Sequence, residues 1–105
     1  MSTDQPRLTA PTLKVLGAFL LIAHAELSGA DICRSTSLAS GTLYPILLRL
    51  DAAKWLTSHW EQKSAEKLGR PRRRLYELTG LGARSAKKAF NELTTHVGGI
   101  AWNTY

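Results

Sequence analysis

A chain of 105 residues has room for one domain and a modest core, and a partner subunit would help it to bury apolar surface. Its net charge of +6 is concentrated: Lys63, Lys67, Arg70, Arg72, Arg73 and Arg74 stand against Glu66 alone, so five of the six net charges fall within twelve residues, as suits a polyanionic partner. The single cysteine, Cys33, excludes an internal disulfide and fits a reducing cytoplasm. The scattered histidines His24, His59 and His96, with no paired metal ligands and no glycine-rich phosphate loop, point to no enzyme and no cofactor.

Residues Met1 to Ala10 read as a polar arm. A first helix is expected from Pro11 or Thr12, where a proline loses no hydrogen bond, to about Ala25. It carries two apolar stripes, Leu13, Leu16, Leu20 and Ala23 on one side and Val15, Phe19 and Ile22 on the other. A helix apolar on two faces needs cover on both, and a second subunit is the expected cover. The run Val15 to Ala23 precedes an Ala23-His24-Ala25 triplet that mimics a signal-peptidase site. It is nevertheless far short of the roughly 20 residues that span a bilayer, and Asp4 lies ahead of it, so neither export nor a membrane partner is expected.

Ser28 and Gly29 lead into a short second helix, about Gly29 to Thr36, with Ala30, Ile32 and Cys33 facing inward and Cys33 serving as a small buried hydrophobe. A turn over Ser37 to Ser40 introduces a third helix, about Ser40 to Ala53, whose Leu43, Ile46, Leu47 and Leu50 have the spacing of a buried stripe. Pro45 is harmless only where amides are orphaned, which places the regular start near Gly41 or Thr42 with Ser40 or Thr42 as cap. The opposite face carries Gly41, Tyr44, Pro45, Leu48 and Arg49 and is slim at its N-terminal end, as approach to a groove requires. Two short helices joined in this way read as helix-turn-helix. Packing of Tyr44 and Leu48 against the first helix or the wing is the competing assignment.

Trp55 to Glu61 and Arg74 to Leu78 are predicted strands. The long loop between them contains Gly69 and Pro71 and places Lys67, Arg70, Arg72 and Arg73 at a hairpin tip, where phosphate is the expected partner. Arg74, beside the returning strand, is assigned a structural role. Thr79 caps a last helix that runs to about Val97 before Gly98-Gly99. Its Ala86, Phe90, Leu93 and Val97 form a coiled-coil-like seam for a homodimer. The tail from Ile100 to Tyr105 shows no element. The predicted fold is mainly α with a small two-stranded β wing, divided into an arm and winged helix-turn-helix over 1–79 and a dimerisation helix and tail over 80–105.

Taken together, Gly41-Thr42-Leu43-Tyr44-Pro45, Arg49-Leu50, Trp55-Leu56, Trp60-Glu61, Arg70-Pro71-Arg72, Tyr76 and Leu78-Thr79 resemble the PadR-like family of bacterial winged-helix transcriptional regulators. The resemblance covers about residues 12 to 93 and is to the short members with one C-terminal helix. It implies a repressor acting on double-stranded DNA, paired through its first and last helices, with the third helix in the major groove and the wing on the backbone or minor groove. By position, Ser40, Thr42 and Tyr44 are then expected on phosphate or base edges, with Arg49 on the same helix. Arg70 and Arg72 serve the wing, joined by Lys67 and Arg73. The dimer contact falls to Leu16, Phe19, Phe90, Leu93 and Val97. The family also brings the expectation of a small hydrophobic effector. Lys54 stands where the family often has glycine, and Ala30 where it often has tyrosine. The rival functions are a winged-helix protein-interaction module and a sequence-indifferent DNA-organising protein.

Overall fold

The stripe Leu43, Ile46, Leu47 and Leu50 is buried as its spacing demands, and the other elements assemble on it. The structure, a computed structural model, describes residues 6–22 and 25–101, with the backbone alone for 95–101. Helix α1 spans Ala10–Leu21. Thr9 caps it, its hydroxyl accepting from the Thr12 amide at 3.3 Å, and Pro11 sits in the first turn. Strand β1 is Leu27–Ser28 and runs straight into α2, Gly29–Thr36. Ser28 and Asp31 close a capping box: the Asp31 amide donates to Ser28 Oγ at 3.2 Å and the Ser28 amide to Asp31 Oδ2 at 2.9 Å. The amide hydrogen bond from Ser28 holds the Asp31 carboxyl below its ordinary value.

Helix α3 spans Ser40–Ala52, and its C-terminus is tied by two hydrogen bonds, Trp55 amide to Leu50 carbonyl at 2.9 Å and Lys54 amide to Asp51 carbonyl at 3.0 Å. This is the Schellman arrangement. It requires a left-handed residue at Lys54, whose φ is 68°. The departure from glycine at this position therefore does not shift the turn; the lysine adopts the glycine conformation at a cost on the order of 1 kcal/mol. Trp55 and Leu50, the accompanying apolar pair, are both buried.

Strand β2 is Leu56–Trp60 and β3 is Arg74–Leu78, paired antiparallel with Leu56 opposite Leu78 and Trp60 opposite Arg74. The sheet has three strands rather than the predicted two, in the order β1-β3-β2, because Leu27 and Ser28 pair with Tyr76 and Leu75. Between β2 and β3 the loop folds one short helix, α4, Ala65–Leu68, capped by Ser64 and closed by Gly69 at φ 70°.

Helix α5, Gly80–Ala101, starts where expected: Thr79 Oγ1 accepts from the Gly82 amide at 2.9 Å and donates to the Lys54 carbonyl at 2.6 Å. A Cβ on Gly82 would collide with the Trp55 carbonyl, so glycine lets the first turn of α5 sit against the end of α3. The helix runs through Gly98-Gly99 instead of stopping before them; each glycine costs about 1 kcal/mol in a helix but, unlike proline, keeps its amide.

The first helix ends at Leu21 rather than near Ala25. Of the residues assigned inward on α2, Ile32 is fully buried, Cys33 half-buried and Ala30 exposed. Two dimer assignments need correction. Leu16 and Phe19 are buried inside a single chain, because α1 is covered by α2, α3 and α5 together, and they have no surface to offer a partner. Among the described residues α1 and α5 leave exposed Leu21, 85% open, with Ile22 at its C-cap, and Leu81 and Leu93, 44% and 46% open, while Phe90 is half-buried against the core. The side chain of Val97 lies outside the described residues. Helices α1, α2, α3 and α5 around one core, with α2 and α3 ahead of the β2–β3 hairpin, make a winged helix-turn-helix.

Candidate nucleic-acid interface

Helix α3 exposes Ser40, Gly41, Thr42, Tyr44, Pro45, Leu48 and Arg49. Its N-cap is Ala39, which has no side chain to cap with, and the helix begins one or two residues earlier than the position of Pro45 suggested. Pro45 consequently lies in the second turn, where it brings no amide to the Gly41 carbonyl. The amides of Thr42 and Leu43 both donate to the Ala39 carbonyl, so neither Ser40 nor Thr42 serves as cap. Among the described residues their hydroxyls make no side-chain hydrogen bond, and both remain available to a ligand at the helix N-terminus.

At 100° per residue Tyr44 and Arg49 lie about 140° apart around α3, on opposite flanks of the exposed face, with Gly41, Pro45 and Leu48 between them. Tyr44 is 48% exposed and its ring lies on Gly29, where any Cβ would strike the phenol. It shares a hollow of about 360 Å³ with Trp60, Arg73, Arg74 and Tyr76. The competing assignment for Tyr44 thus has substance, since the ring packs at the start of α2 and faces the wing. Leu48, 74% exposed, is open to solvent.

At the wing one residue organises the cations. Glu61 accepts both Arg70 Nη atoms, at 2.6 and 3.0 Å, and the Arg73 amide at 2.9 Å, while its own carbonyl accepts Arg72 Nε at 2.7 Å. The Arg70 guanidinium, ahead of the Arg73 amide, lowers the Glu61 carboxyl to about 2. Glu61 lies two residues before the basic run, and its charge offsets that of Arg70. Lys67 and Arg73 are exposed, and among the described residues neither side chain is in an ion pair.

Arg74 connects the wing to α3. Its Nε donates to Ser58 Oγ at 3.1 Å, and that hydroxyl donates to Asp51 Oδ2 at 3.1 Å, while the guanidinium stands 5.4 Å from the Trp60 ring centroid. Sequence reasoning did not single out Glu61, Trp60 or Tyr76 as parts of this surface. A carboxylate bordering six cations was the available signal for Glu61. Among the described residues, no helix is long and apolar enough to cross a membrane.

The fold is shared with known proteins. A PadR family transcriptional regulator from Eggerthella lenta DSM 2243 superposes with a TM-score of 0.69 at 19% identity, covering 89% of this chain and 80% of its own. A PadR family regulator from Clostridium difficile R20291 does so with a TM-score of 0.65 at 17% identity, over 89% of this chain and 99% of its own. S. aureus MepR, in complex with DNA, gives 0.67 at 16% identity over 92% and 73%. These likenesses establish the fold. No protein of curated function matches the sequence. The sequence profile of the transcriptional regulator PadR-like family matches residues 26–88, more than half of the chain and the whole stretch from β1 through the wing into α5, and the chain belongs to that family of regulators.

Proposed function

We propose that the protein is a sequence-specific DNA-binding repressor that works as a homodimer, with α3 in the major groove and the wing on the backbone or minor groove. The observation that carries this reading is the pairing of two unlike surfaces. An exposed helix face with free Ser40 and Thr42 hydroxyls and flanking Tyr44 and Arg49 stands beside a wing tip where Glu61 holds the side chains of Arg70 and Arg72 and the backbone of Arg73. The first suits base edges and nearby phosphate, the second phosphate alone. MepR, a protein of similar fold, binds DNA, which supports DNA as the partner.

In this reading residues 1–79 hold the DNA and 80–105 hold the partner subunit together with the exposed end of α1, the contact running over Leu93, Phe90 and Leu21 rather than through Leu16 or Phe19. A small hydrophobic effector would find a hollow of about 350 Å³ lined by Phe19, Leu20, Leu78 and Ala83. A mobility-shift assay on the DNA upstream of the protein's own coding region, with random DNA as competitor, tests the reading. A discrete complex that resists the competitor and a two-fold footprint with half-sites about one helical turn apart are expected. Equal binding to both DNAs would replace it with a DNA-organising role, and no binding to either with a protein-interaction role.

A further inference from the structure

The side of the sheet that carries Thr57, His59, Leu75 and Glu77 takes no part in the DNA-binding reading. Thr57 stands opposite Glu77, and Leu27 opposite Tyr76, so Glu26, one residue ahead of β1, continues the ladder to lie beside Glu77. Alternation along β2 puts His59 on the same side as Thr57. One donor atom from each of Glu26, His59 and Glu77 lies within 4.8 Å of the other two, and His59 Nε2 is 3.4 Å from Glu26 Oε2.

Two features of this group point to a cation. Carboxylates side by side on neighbouring strands repel one another. Among the described residues neither Glu26 nor Glu77 is paired with a lysine or arginine, although Lys63 lines the same hollow as Glu26 and His59. The spacing also fits. Tetrahedral bonds of about 2.1 Å set neighbouring donors about 3.4 Å apart, a separation His59 and Glu26 already have, and a Glu77 oxygen lies within 4.8 Å of both.

We propose that Glu26, His59 and Glu77 form a binding site for a divalent first-row transition cation. One imidazole and two carboxylates with room for water suit Zn²⁺, which binds His nitrogen and carboxylate oxygen in this way. The site is structural: Glu26 leads through β1 directly into α2, whereas His59 and Glu77 belong to the two wing strands, so the ion clips the wing to the root of α2.

Isothermal titration of ZnCl₂ into the full chain tests this, with a Cys33→Ser chain in parallel to remove the thiol as a ligand. Saturable binding of one ion per chain at micromolar concentration is expected, unchanged in Cys33→Ser and weakened at least ten-fold in both His59→Ala and Glu77→Gln. Without metal, Glu77→Gln should melt no lower than the parent, because it removes one of two like charges, and it should lose the upward shift in melting temperature that Zn²⁺ gives the parent. A Glu77 that merely braces the sheet would instead lower the metal-free melting temperature when replaced. Absence of saturable binding below millimolar Zn²⁺, or equal affinity in the parent and both variants, overturns the proposal.

Discussion

Glu61 makes the wing a more particular object than a charged loop, and the consequence can be measured in a salt titration. Each phosphate contact that is lost flattens the slope of log affinity against log salt by about 0.9. Among the described residues the Nη atoms of Arg72 make no hydrogen bond while its Nε holds the Glu61 carbonyl, so Arg72→Ala should flatten the slope by about 0.9 per wing, or about 1.8 for a dimer. Arg70 differs, because both its Nη atoms are engaged by the Glu61 carboxylate. Its removal exposes that carboxylate next to the DNA backbone, and most of the damage is then repulsion. Arg70→Ala should therefore weaken binding to operator and random DNA alike, and Glu61→Gln introduced with it should restore much of the loss. Fluorescence anisotropy of the parent, Arg72→Ala, Arg70→Ala, Glu61→Gln and the double variant of Arg70 and Glu61, each from low to moderate salt, completes the cycle. If Arg70→Ala flattens the slope as much as Arg72→Ala and Glu61→Gln restores nothing, Arg70 touches phosphate directly and the assignment of Glu61 as its partner in the complex is wrong.

The pH dependence of the same pair has a fixed sign. The Glu61 carboxyl is lowered from 4.5 to about 2, so what it contributes to the folded wing is fully present above pH 4.5 and is lost as pH falls from there towards 2. Wing amides should exchange hydrogen equally slowly, after correction for intrinsic rate, from pH 5 to 7. They should lose protection selectively below about 4, and Glu61→Gln should abolish that selectivity.

Lys54→Gly should leave stability equal or higher by up to about 1 kcal/mol, whereas Lys54→Val should lower it, thermal melts giving the order. Gly82→Ala forces a methyl against the Trp55 carbonyl and should cost about 1–3 kcal/mol, with melting lowered and no defect specific to DNA. Leu93→Glu, at an exposed position, should yield a folded monomer by sedimentation; a variant that remains dimeric moves the pairing surface off α5. Gly29→Ala should displace the Tyr44 ring and reduce operator affinity together with Tyr44→Ala, and a footprinting comparison should show Arg49→Ala losing protection at a different place, since the two side chains leave α3 on opposite flanks.

The parts of this molecule that were legible in the sequence are those written at short range. The stripe on α3 announces itself by a period that needs no partner to be recognised, as do Thr79 as a cap and Arg74-Leu75-Tyr76-Glu77-Leu78 as a strand. Strand β1 was missed because two residues carry no alternation. It exists only because Leu27 meets Tyr76 across nearly half of the chain. Leu16 and Phe19 show the same limit from the other side: two apolar faces on α1 state that cover is needed on both, but not that α2, α3 and α5 supply it from within one chain. The site repeats the pattern. Counting charge from Lys63 to Arg74 gives a wing with one more free cation than the fold leaves it, because Glu61 reaches Arg70, Arg72 and Arg73 only once β2 and β3 are in register. In the proposed DNA-binding reading, strand register thus turns a run of positive charge into a placed set of donors, with Arg72, Arg73 and Lys67 carrying the charge and Glu61 and Arg70 fixing where it stands.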